Sequence, residues 1–376
     1  MMKPIKVLHI HEVEKEAFYF NNLVDFVDPE EVEFSFVTLA PEGEFTESMK
    51  RRNLTVRALD ARGKKNLPRA GRAIWKILKQ ENPDIVHTHL FDATAVGLNL
   101  ARLQKRKTVL TRHHSDAVHL LPSAIRRFVY LRLENRNNRL ADHIIAPSRM
   151  VRECLVDWEG VPPEKVSLIP YGQTSERFER ITPEVVAAKR AELGFDRQLS
   201  LVCVSRLFNR KGHRYLFEAL APLYRDGLRA RLYLVGTGDY RKNLEQIAND
   251  LGISDNVEFL GWRSDILEII GAADVIVHPS LEDALSQSLI ESLMLRRPII
   301  ATDISGAADT LDGGKYGQLV PPADADAFRR ALAETLGDLE AARERARKGR
   351  EYLLEYMDAG RAAGEYGKIY RRVLGL

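Results

Sequence analysis

Two basic residues lie five positions apart in the second half of the chain, directly after an apolar stretch. Arg206 and Lys211 follow the run Leu201–Val204, and a helical pattern begins at Gly212. The N-terminus of a helix carries a partial positive charge, and the two side chains add full positive charges. Arg can bind phosphate oxygens through two parallel hydrogen bonds, whereas Lys acts as a point charge. We therefore predict a phosphate-binding site at this junction of strand and helix.

A pair of carboxylates follows at a second junction of this kind, in the sequence LEDALSQSLIESLMLRRPIIATD. Asp283 and Glu291 are eight positions apart, a little over two helical turns. Both can therefore face one ligand if Asp283 lies in the loop and Glu291 in the helix. Glu291 interrupts a largely apolar stretch, where a charge needs a partner, and a ribose diol offers two hydroxyl donors. The alternative is a pair of solvated acids at the start of a helix.

Glycine and histidine residues mark further candidate sites. Gly236 and Gly238 lie in the sequence VGTG after a predicted strand, where the lack of a side chain lets the backbone approach a ligand. A turn without a ligand has the same pattern. His113, in the run TRHHSD, follows a strand and can hydrogen-bond a polar ligand, although a lone histidine more often has a structural role. His87 and His89, in VHTH, give a weaker signal of the same kind.

The sequence predicts no metal site and no cofactor. No set of His, Cys and Asp residues has the spacing of a zinc site. Asp324 and Asp326 form a D-x-D pattern, which we interpret here as a helix cap. The two cysteines, Cys154 and Cys203, lie among apolar neighbours, which indicates reduced thiols in the core of a cytoplasmic protein and not a disulfide framework.

Strands and helices that alternate along the whole chain must position these residues. Seven short apolar runs in the first half and six in the second predict strands, and several are continuous runs, as in parallel strands buried on both faces. This alternation predicts an α/β protein with two Rossmann-like, doubly wound parallel-sheet domains. Pro170 and Gly172 mark the boundary, so we predict domains at residues 1–172 and 173–357, followed by an amphipathic helix at 358–376.

Ligands of open α/β sheets bind outside the carboxyl ends of the strands. The phosphate-binding pair, the glycines, Asp283 and His113 all follow predicted strands directly. We therefore expect the two domains to face a cleft in which these residues meet.

Charge is distributed unevenly along the chain. The net charge is +3, but residues 1–49 contain 3 Lys and Arg against 11 Asp and Glu (−8), and residues 50–139 contain 21 against 6 (+15). Such a basic segment indicates an anionic partner, either phospholipid headgroups or a pyrophosphate-linked lipid, unless it is merely a solvated surface. Neither a nucleic-acid-binding motif nor interleaved aromatic residues accompany the charge, which argues against nucleic acid.

Part of this basic segment has the composition of a membrane-surface helix. Apolar residues lie between the arginines of the run LPSAIRRFVYLRLENRNNRL, which are Arg126, Arg127, Arg132, Arg136 and Arg139. A helix with cationic and apolar faces can lie at an anionic membrane surface. The alternative is that the apolar face packs on the sheet and the arginines are solvated. The chain has neither a secretory signal nor a run of 18 apolar residues, so we expect a cytoplasmic protein, peripheral at the inner face of the membrane.

Several segments, in this order, resemble the retaining glycosyltransferases of family four (glycosyl transferases group 1), which have the GT-B fold. SRLFNRKG is similar to the phosphate motif of that family, and LYLVGTGDYRKNLEQIANDLGISDNVEFLGW is similar to the stretch that follows it. EDALSQSLIESLMLRRPIIATDISG resembles the carboxylate motif. IIAPSRMVRECL and VSLIPYGQTSERF resemble two further segments. The resemblance covers most of the chain from Asp84 onward.

The resemblance implies two groups of site residues. The catalytic group would consist of His113, Asp283, Arg206 and Lys211. The donor-binding group would consist of Arg206, Lys211, Gly236, Gly238, Trp262, Arg263, Ser286 and Glu291. The two cations would bind the donor diphosphate, Glu291 the ribose, and Trp262 with Arg263 the base. Asp283 and His113 would lie near the transferred sugar, and the C-terminal helix would cross back onto the first domain.

Two departures from the family pattern concern the sugar and the acceptor. Asp283 occupies the position of a motif glutamate and is one methylene shorter, so the neighbouring Glu282 is the alternative for this role. The loop after the first strand reads HIHEVEKEAF and lacks the glycine pair that is usual in the family. Because that loop normally lies near the acceptor, the resemblance defines the acceptor least.

We predict a metal-independent glycosyltransferase that moves a sugar, with retention of anomeric configuration, from a nucleoside-diphosphate-sugar donor to an acceptor hydroxyl. The acceptor would be lipid-linked or a glycan, in the synthesis of cell-surface glycans or glycolipids. The alternatives are a nucleotide-sugar epimerase or hydrolase on the same frame, and a non-catalytic protein that binds sugar nucleotides.

Overall fold

The computed structural model describes residues 3–113, 118, 119, 121, 123–283 and 286–376. The chain forms two compact units. Unit 1 consists of Met1–Thr174 with Met357–Leu376, and unit 2 consists of Ser175–Tyr356. Each unit contains its own parallel β-sheet with helical crossovers. This architecture confirms the predicted fold class.

Unit 1 is built on a sheet of seven parallel strands within the described residues. The strands are β1 (Ile5–His11), β2 (Val32–Thr38), β3 (Thr55–Ala58), β4 (Ile85–His89), β5 (Lys107–Thr111), β6 (His143–Ala146) and β7 (Val166–Leu168). The helices between them are α1 (Phe18–Phe26), α2 (Glu44–Arg51), α3 (Leu67–Glu81), α4 (Phe91–Leu103), α5 (Ala124–Leu140) and α6 (Arg149–Glu153). The order in the sheet is β3-β2-β1-β4-β5-β6-β7.

Unit 2 contains six parallel strands within the described residues. They are β8 (Leu199–Val204), β9 (Ala230–Val235), β10 (Val257–Gly261), β11 (Val275–His278), β12 (Ile299–Thr302) and β13 (Gln318–Val320). The helices are α7 (Glu176–Glu179), α8 (Pro183–Leu193), α9 (His213–Arg225), α10 (Arg241–Asp250), α11 (Ile266–Ala272), α12 (Gln287–Met294), α13 (Ser305–Thr310), α14 (Ala325–Gly337) and α15 (Leu339–Tyr356). The order in the sheet is β10-β9-β8-β11-β12-β13.

Both faces of the unit 1 sheet are covered, as the alternation along β1 shows. Val7 packs in one core with residues of α1, whereas Leu8 and Ile10 pack in another with residues of α3 and α4. Because successive side chains of a strand point to opposite faces, a strand buried on both faces has a continuous apolar sequence.

The last helix of the sequence, α16 (Ala359–Leu374), belongs to unit 1. Its buried Tyr366, Ile369 and Tyr370 complete the core that contains α1. Gly172 packs closely against the first residue of this helix. A Cβ atom on this glycine would lie 2.7 Å from the Cα atom of Ala359. A larger residue at position 172 would push this helix away from the unit.

Two further findings concern predictions made from the sequence. Asp324 caps α14, since its Oδ1 accepts a hydrogen bond of 2.8 Å from the backbone N–H of Ala327. The interpretation of the D-x-D pattern as a helix cap is thereby confirmed. Among the described residues, no helix combines the length and the apolar character that crossing a membrane requires.

Candidate active site

The sheet order of unit 2 brings the predicted donor-binding residues to one edge. The chain reverses its direction of travel across the sheet between the neighbouring strands β8 and β11. Arg206 and Lys211 follow β8, and Asp283 follows β11. Such a reversal leaves a crevice at the carboxyl ends of the two strands, where open α/β sheets bind ligands. The two cations and the carboxylate therefore flank this crevice from opposite sides.

Gly236 and Gly238 fix the backbone of the loop that carries Arg206. A Cβ atom on Gly236 would lie 2.1 Å from the carbonyl oxygen of Ser205, and one on Gly238 would lie 2.1 Å from that of Leu207. The N–H of Leu207 donates a 3.0 Å hydrogen bond to the carbonyl of Thr237. The two glycines thus allow a close backbone contact within the protein, a role that sequence reasoning did not assign to them.

Arg206 is exposed at the end of this loop. Its guanidinium lies 5.3 Å from the centroid of the Phe208 ring. Within the described residues, no carboxylate forms an ion pair with Arg206. The guanidinium therefore has donors left for an anionic ligand.

Lys211 and Asp283 form an ion pair across the crevice, with 2.7 Å between Nζ and Oδ2. The imidazole Nε2 of His278 lies 3.7 Å from the same carboxylate oxygen. Burial alone would raise the pKa of Asp283, but the neighbouring imidazole of His278 and the charge of Lys211 outweigh burial and lower the pKa to about 2. The loop after β8 approaches the loop after β11 closely at Gly212. This position requires glycine, because its φ is 65° and a Cβ atom there would lie 1.9 Å from the Pro279 carbonyl oxygen.

Glu282, the alternative to Asp283, has different surroundings. Its carboxylate lies 3.0 Å from Nη1 of Arg210, a side chain that is 52% exposed. Asp283 therefore contacts the predicted phosphate-binding lysine, and Glu282 contacts a surface arginine.

Glu291 lies inside α12 and is buried. Its Oε1 accepts a 3.0 Å hydrogen bond from Nη2 of Arg177 in α7, and Nε2 of Gln287 lies 3.4 Å away. Burial raises the pKa of Glu291, and the charge of Arg177 opposes this rise. Sequence reasoning recognised that the carboxylate needs a partner but did not find Arg177, which lies 114 positions earlier in the chain.

The remaining predicted donor-binding residues lie at the same edge. Trp262 follows β10 and is 71% exposed. Arg263 donates to Asp265 at 2.7 Å and to Glu192 at 2.8 Å, so its guanidinium is already engaged by two carboxylates. Ser286 is buried directly before α12. Trp262 is thus the residue of this set that presents a free aromatic face.

A second buried histidine in unit 2 also escaped sequence reasoning. His213 begins α9, and its Nε2 lies 3.0 Å from the hydroxyl of Ser205 beside the Arg206 loop. Burial lowers the pKa of His213 to about 3, so the ring is neutral at physiological pH. A neutral ring that binds Ser205 supports the loop without adding charge.

In unit 1, His113 lies in a chain of buried hydrogen-bonded rings. Nδ1 of His9 lies 2.9 Å from Nε2 of His89, and Nδ1 of His89 lies 3.0 Å from Nε2 of His113. Nδ1 of His113 in turn hydrogen-bonds the hydroxyl of Tyr171. Both ring nitrogens of His113 therefore have protein partners. The last three residues of its motif, positions 114 to 116, lie outside the described residues.

His87 lies beside this chain with partners of its own. Its Nδ1 is 2.9 Å from the hydroxyl of Tyr370 in α16, and its Nε2 is 2.8 Å from that of Thr111. Burial lowers the pKa of His9, His87 and His89 alike. The weak signal of the two VHTH histidines thus marks a buried network of neutral rings.

Helix α5 buries polar side chains and exposes several apolar ones. Its buried residues are Glu134, Asn137 and Asn138. Glu134 pairs with Arg112, which is 2% exposed and lies 2.9 Å from its carboxylate. A second carboxylate, Glu159, lies 2.8 Å from the same guanidinium. A buried ion cluster therefore holds the polar face of this helix inward.

Several apolar side chains of α5 are exposed on the opposite side of the helix. Ile125 is 78% exposed, Phe128 60% and Val129 49%, and the guanidinium of Arg132 lies 5.0 Å from the centroid of the Phe128 ring. The interpretation in which the apolar face packs on the sheet is therefore wrong, because the ion cluster occupies that side. The outward face of α5 combines apolar and cationic side chains.

Comparisons with known proteins agree with these two units. Residues 18–177 match the family described as Glycosyltransferase Family 4, and residues 198–338 match the family described as Glycosyl transferases group 1. Alr3699/HepE of Anabaena, whose crystal structure contains UDP-glucose, superposes with a TM-score of 0.80 at 20% identity over 97% of this chain and 99% of that chain. At this identity the superposition shows a common fold.

Two relatives are similar in sequence. A GDP-mannose-dependent alpha-(1-6)-phosphatidylinositol monomannoside mannosyltransferase of Mycolicibacterium smegmatis is 30% identical over 284 residues, which is 72% of each chain. A UDP-Gal:alpha-D-GlcNAc-diphosphoundecaprenol alpha-1,3-galactosyltransferase of Escherichia coli is 28% identical over 272 residues, which is 71% of this chain and 70% of that protein. The chain belongs to family 4 of the glycosyltransferases, the glycosyl transferases group 1, and has the GT-B fold.

Proposed function

We propose that this glycosyltransferase takes its sugar from a nucleoside-diphosphate donor and transfers it with retention of configuration and without a metal ion. The observation that carries the proposal is the pair of cations, Arg206 and Lys211, beside the strand reversal of unit 2. The diphosphate of the donor binds both cations. Glu291, whose carboxylate also accepts a hydrogen bond from Arg177, accepts hydrogen bonds from the ribose hydroxyls.

In the reaction, the bond between the anomeric carbon and the diphosphate oxygen breaks, and a bond to the acceptor oxygen forms on the same face of the sugar. The acceptor hydroxyl proton passes to the departing phosphate oxygen. Arg206 and Lys211 stabilise the negative charge that develops on the diphosphate, a preorganised electrostatic effect that often dominates catalysis. When the phosphate binds Lys211, the carboxylate of Asp283 hydrogen-bonds the transferred sugar.

Metal independence rests on the chemistry of the side chains at the crevice. The two groups of potential metal ligands among the described residues, His9 with His87 and His89, and His119 with Cys154 and Glu159, both lie in unit 1. At the unit 2 crevice, lysine and arginine supply the charge that a divalent cation would otherwise supply. No cofactor takes part in this reaction scheme.

We also propose that the acceptor is presented by an anionic membrane, to which the outward face of α5 binds. Exposed Phe128 and Leu133 supply apolar contact, and Arg132 and Arg136 supply charge. The two relatives described above are named for acceptors that carry a lipid, phosphatidylinositol monomannoside and diphosphoundecaprenol. Each cation near such a surface contributes about 1 kcal/mol to binding.

A donor screen tests the first proposal. UDP-, GDP- and ADP-sugars are added separately, and the free energy of unfolding is followed by thermal shift. A donor at about 100 times its dissociation constant adds about 2.7 kcal/mol. The stabilisation should disappear in Arg206→Ala and Lys211→Ala. Arg210→Ala is the matched control, because Arg210 is a cation of the same loop that pairs with Glu282.

Turnover in excess EDTA tests metal independence. Activity should persist at the rate measured without chelator. Loss of turnover that Mg²⁺ or Mn²⁺ restores would contradict the proposal that Arg206 and Lys211 replace a metal ion. In the donor screen, stabilisation that is unchanged in Arg206→Ala and Lys211→Ala would contradict the site itself.

A further inference from the structure

Unit 1 contains an apolar cavity that borders α5. The cavity has a volume of about 830 Å³ and is lined by Phe91, Val118, Leu121, Ile125 and Val129. Sites for small molecules have volumes of about 300–1,000 Å³, so this cavity has the size of a ligand site.

Cationic and hydroxyl groups accompany this apolar lining. Lys64, Arg126 and Tyr130 also border the cavity, and Nζ of Lys64 lies 2.7 Å from the Tyr130 hydroxyl. Arg126 is exposed. A ligand that satisfies both parts must have an apolar portion and an anionic group.

The position of the cavity in the sheet is that of a substrate site. Lys64 lies in the loop after β3, Phe91 begins the helix after β4, and Val118 and Leu121 follow β5. These three strands are all parallel, so the loops that follow them lie at the carboxyl edge of the sheet. Open α/β sheets bind their ligands at this edge.

We infer that this cavity binds the hydrocarbon chain of a phosphate-bearing lipid, whose phosphate contacts Lys64 and Arg126, and that the acceptor is such a lipid. The identification as acceptor rests on the proposed transfer reaction. Charge complementarity favours this occupant, because Lys64 and Arg126 border the cavity and its described lining contains no carboxylate.

A series of alkyl phosphates, from butyl to decyl below their micelle concentrations, tests the inference by calorimetry. Each methylene that enters the cavity should lower the dissociation constant about fourfold, the equivalent of about 0.8 kcal/mol. Inorganic phosphate distinguishes a bare phosphate site from a lipid site and should bind at least a hundredfold more weakly than decyl phosphate. Equal affinities along the series would overturn the inference.

Three aspartate substitutions locate the binding site. Val129→Asp places a charge in the cavity and should abolish the dependence on chain length. Leu103→Asp is the control, because Leu103 is 70% exposed elsewhere in unit 1. Phe128→Asp lies on α5 outside the cavity lining and should leave decyl phosphate binding intact while weakening attachment to vesicles. Thermal melting verifies that each variant is folded.

The charged border is tested with Lys64→Gln and Arg126→Gln. Together they should weaken decyl phosphate at least tenfold and leave the gain per methylene unchanged. An equal loss of affinity in Val129→Asp and Leu103→Asp would reject the cavity as the site. These measurements need neither donor nor turnover, so their failure leaves the donor screen to decide the proposed transfer reaction separately.

Discussion

At the scale of single residues, we expect the ion pair between Lys211 and Asp283 to matter most for activity. Asp283→Asn should lower turnover by a factor on the order of 10²–10³, because it removes the carboxylate that we propose to hydrogen-bond the transferred sugar. Glu282→Gln should leave turnover near that of the unchanged protein, since only the exposed contact with Arg210 is lost. Donor-induced thermal shifts verify that both variants bind the donor. A silent Asp283→Asn together with a damaging Glu282→Gln would show that the motif is assigned one residue too far along the chain.

The buried pair of Arg177 and Glu291 makes a prediction about stability. Arg177→Ala leaves the carboxylate of Glu291 without its main donor and should lower the free energy of unfolding by about 1–3 kcal/mol. Adding Glu291→Gln should recover part of this loss, because the amide carries no charge to bury. Chemical denaturation of the two single variants and the double variant measures the coupling. Additive losses would mean that the two groups do not interact.

The histidine chain of unit 1 predicts the tautomer of His113. Within the described residues, Nε2 of His9 is buried without a hydrogen-bond partner. A proton there would be an unsatisfied donor, so His9 should carry its proton on Nδ1 and donate to His89. His89 then donates to His113, and His113 donates from Nδ1 to Tyr171.

Long-range ¹H–¹⁵N correlation spectra of the imidazole rings measure this directly. His113 should be a neutral ring with its proton on Nδ1. In His9→Phe, the donor to His89 is lost, and the tautomer preference of His113 should weaken. A protonated Nε2 on His113 in the unchanged protein would reverse the predicted direction of the chain.

At the scale of elements, the orientation of α5 determines how unit 1 meets its surroundings. The protein should sediment with vesicles of rising anionic lipid content, and high salt should reduce this binding. Replacing Arg126, Arg132 and Arg136 with Gln should abolish it. The control replaces Lys76, Lys79 and Lys105, three exposed lysines of the same unit, and removes the same charge. Equal loss in both triple variants would indicate a diffuse charge effect, and no binding at any lipid content would favour a soluble acceptor.

The same helix shows where prediction from sequence stops. The spacing of Ile125, Phe128 and Val129 is that of a buried helix face, and composition alone allows both orientations. The decision is made by two residues outside α5: Arg112 pairs with Glu134, and Glu159 accepts a hydrogen bond from Asn138. No local pattern contains that information.

Elements without such distant partners were predictable. The strands follow from continuous apolar runs, and the sheet edge that carries Arg206, Lys211 and Asp283 follows from the parallel topology, because the carboxyl ends of parallel strands share an edge. By contrast, Arg177 and Tyr171 were missed. Their importance depends on contacts with Glu291 and His113, 114 and 58 positions away.

At the scale of the whole molecule, the buried histidines predict how stability depends on pH. Burial lowers the pKa of His9 from 6.5 to about 3 in the folded state. Between these values the unfolded chain binds a proton and the folded protein does not, so the free energy of unfolding falls as pH falls. Each such histidine contributes a slope of up to about 1.4 kcal/mol per pH unit. Above pH 6.5 this contribution to stability is complete.

Chemical denaturation at pH 7, 6, 5 and 4 checks this expectation. His9→Gln should reduce the slope between pH 6 and 4, whatever its effect on stability at pH 7. An unchanged slope in His9→Gln would show that this ring does not couple folding to protons.

The discontinuity of unit 1 has a consequence for biosynthesis. Ser175–Tyr356 separate the body of unit 1 from α16, whose Tyr370 is fully buried and hydrogen-bonded to His87. Translation proceeds at about 5–20 residues per second, so the nascent body of unit 1 waits on the order of ten seconds or more for this helix. During that interval the core around Phe20 and Phe36 lacks its cover. We therefore expect ribosome-associated chaperones to bind this exposed core until α16 has emerged and packed against it.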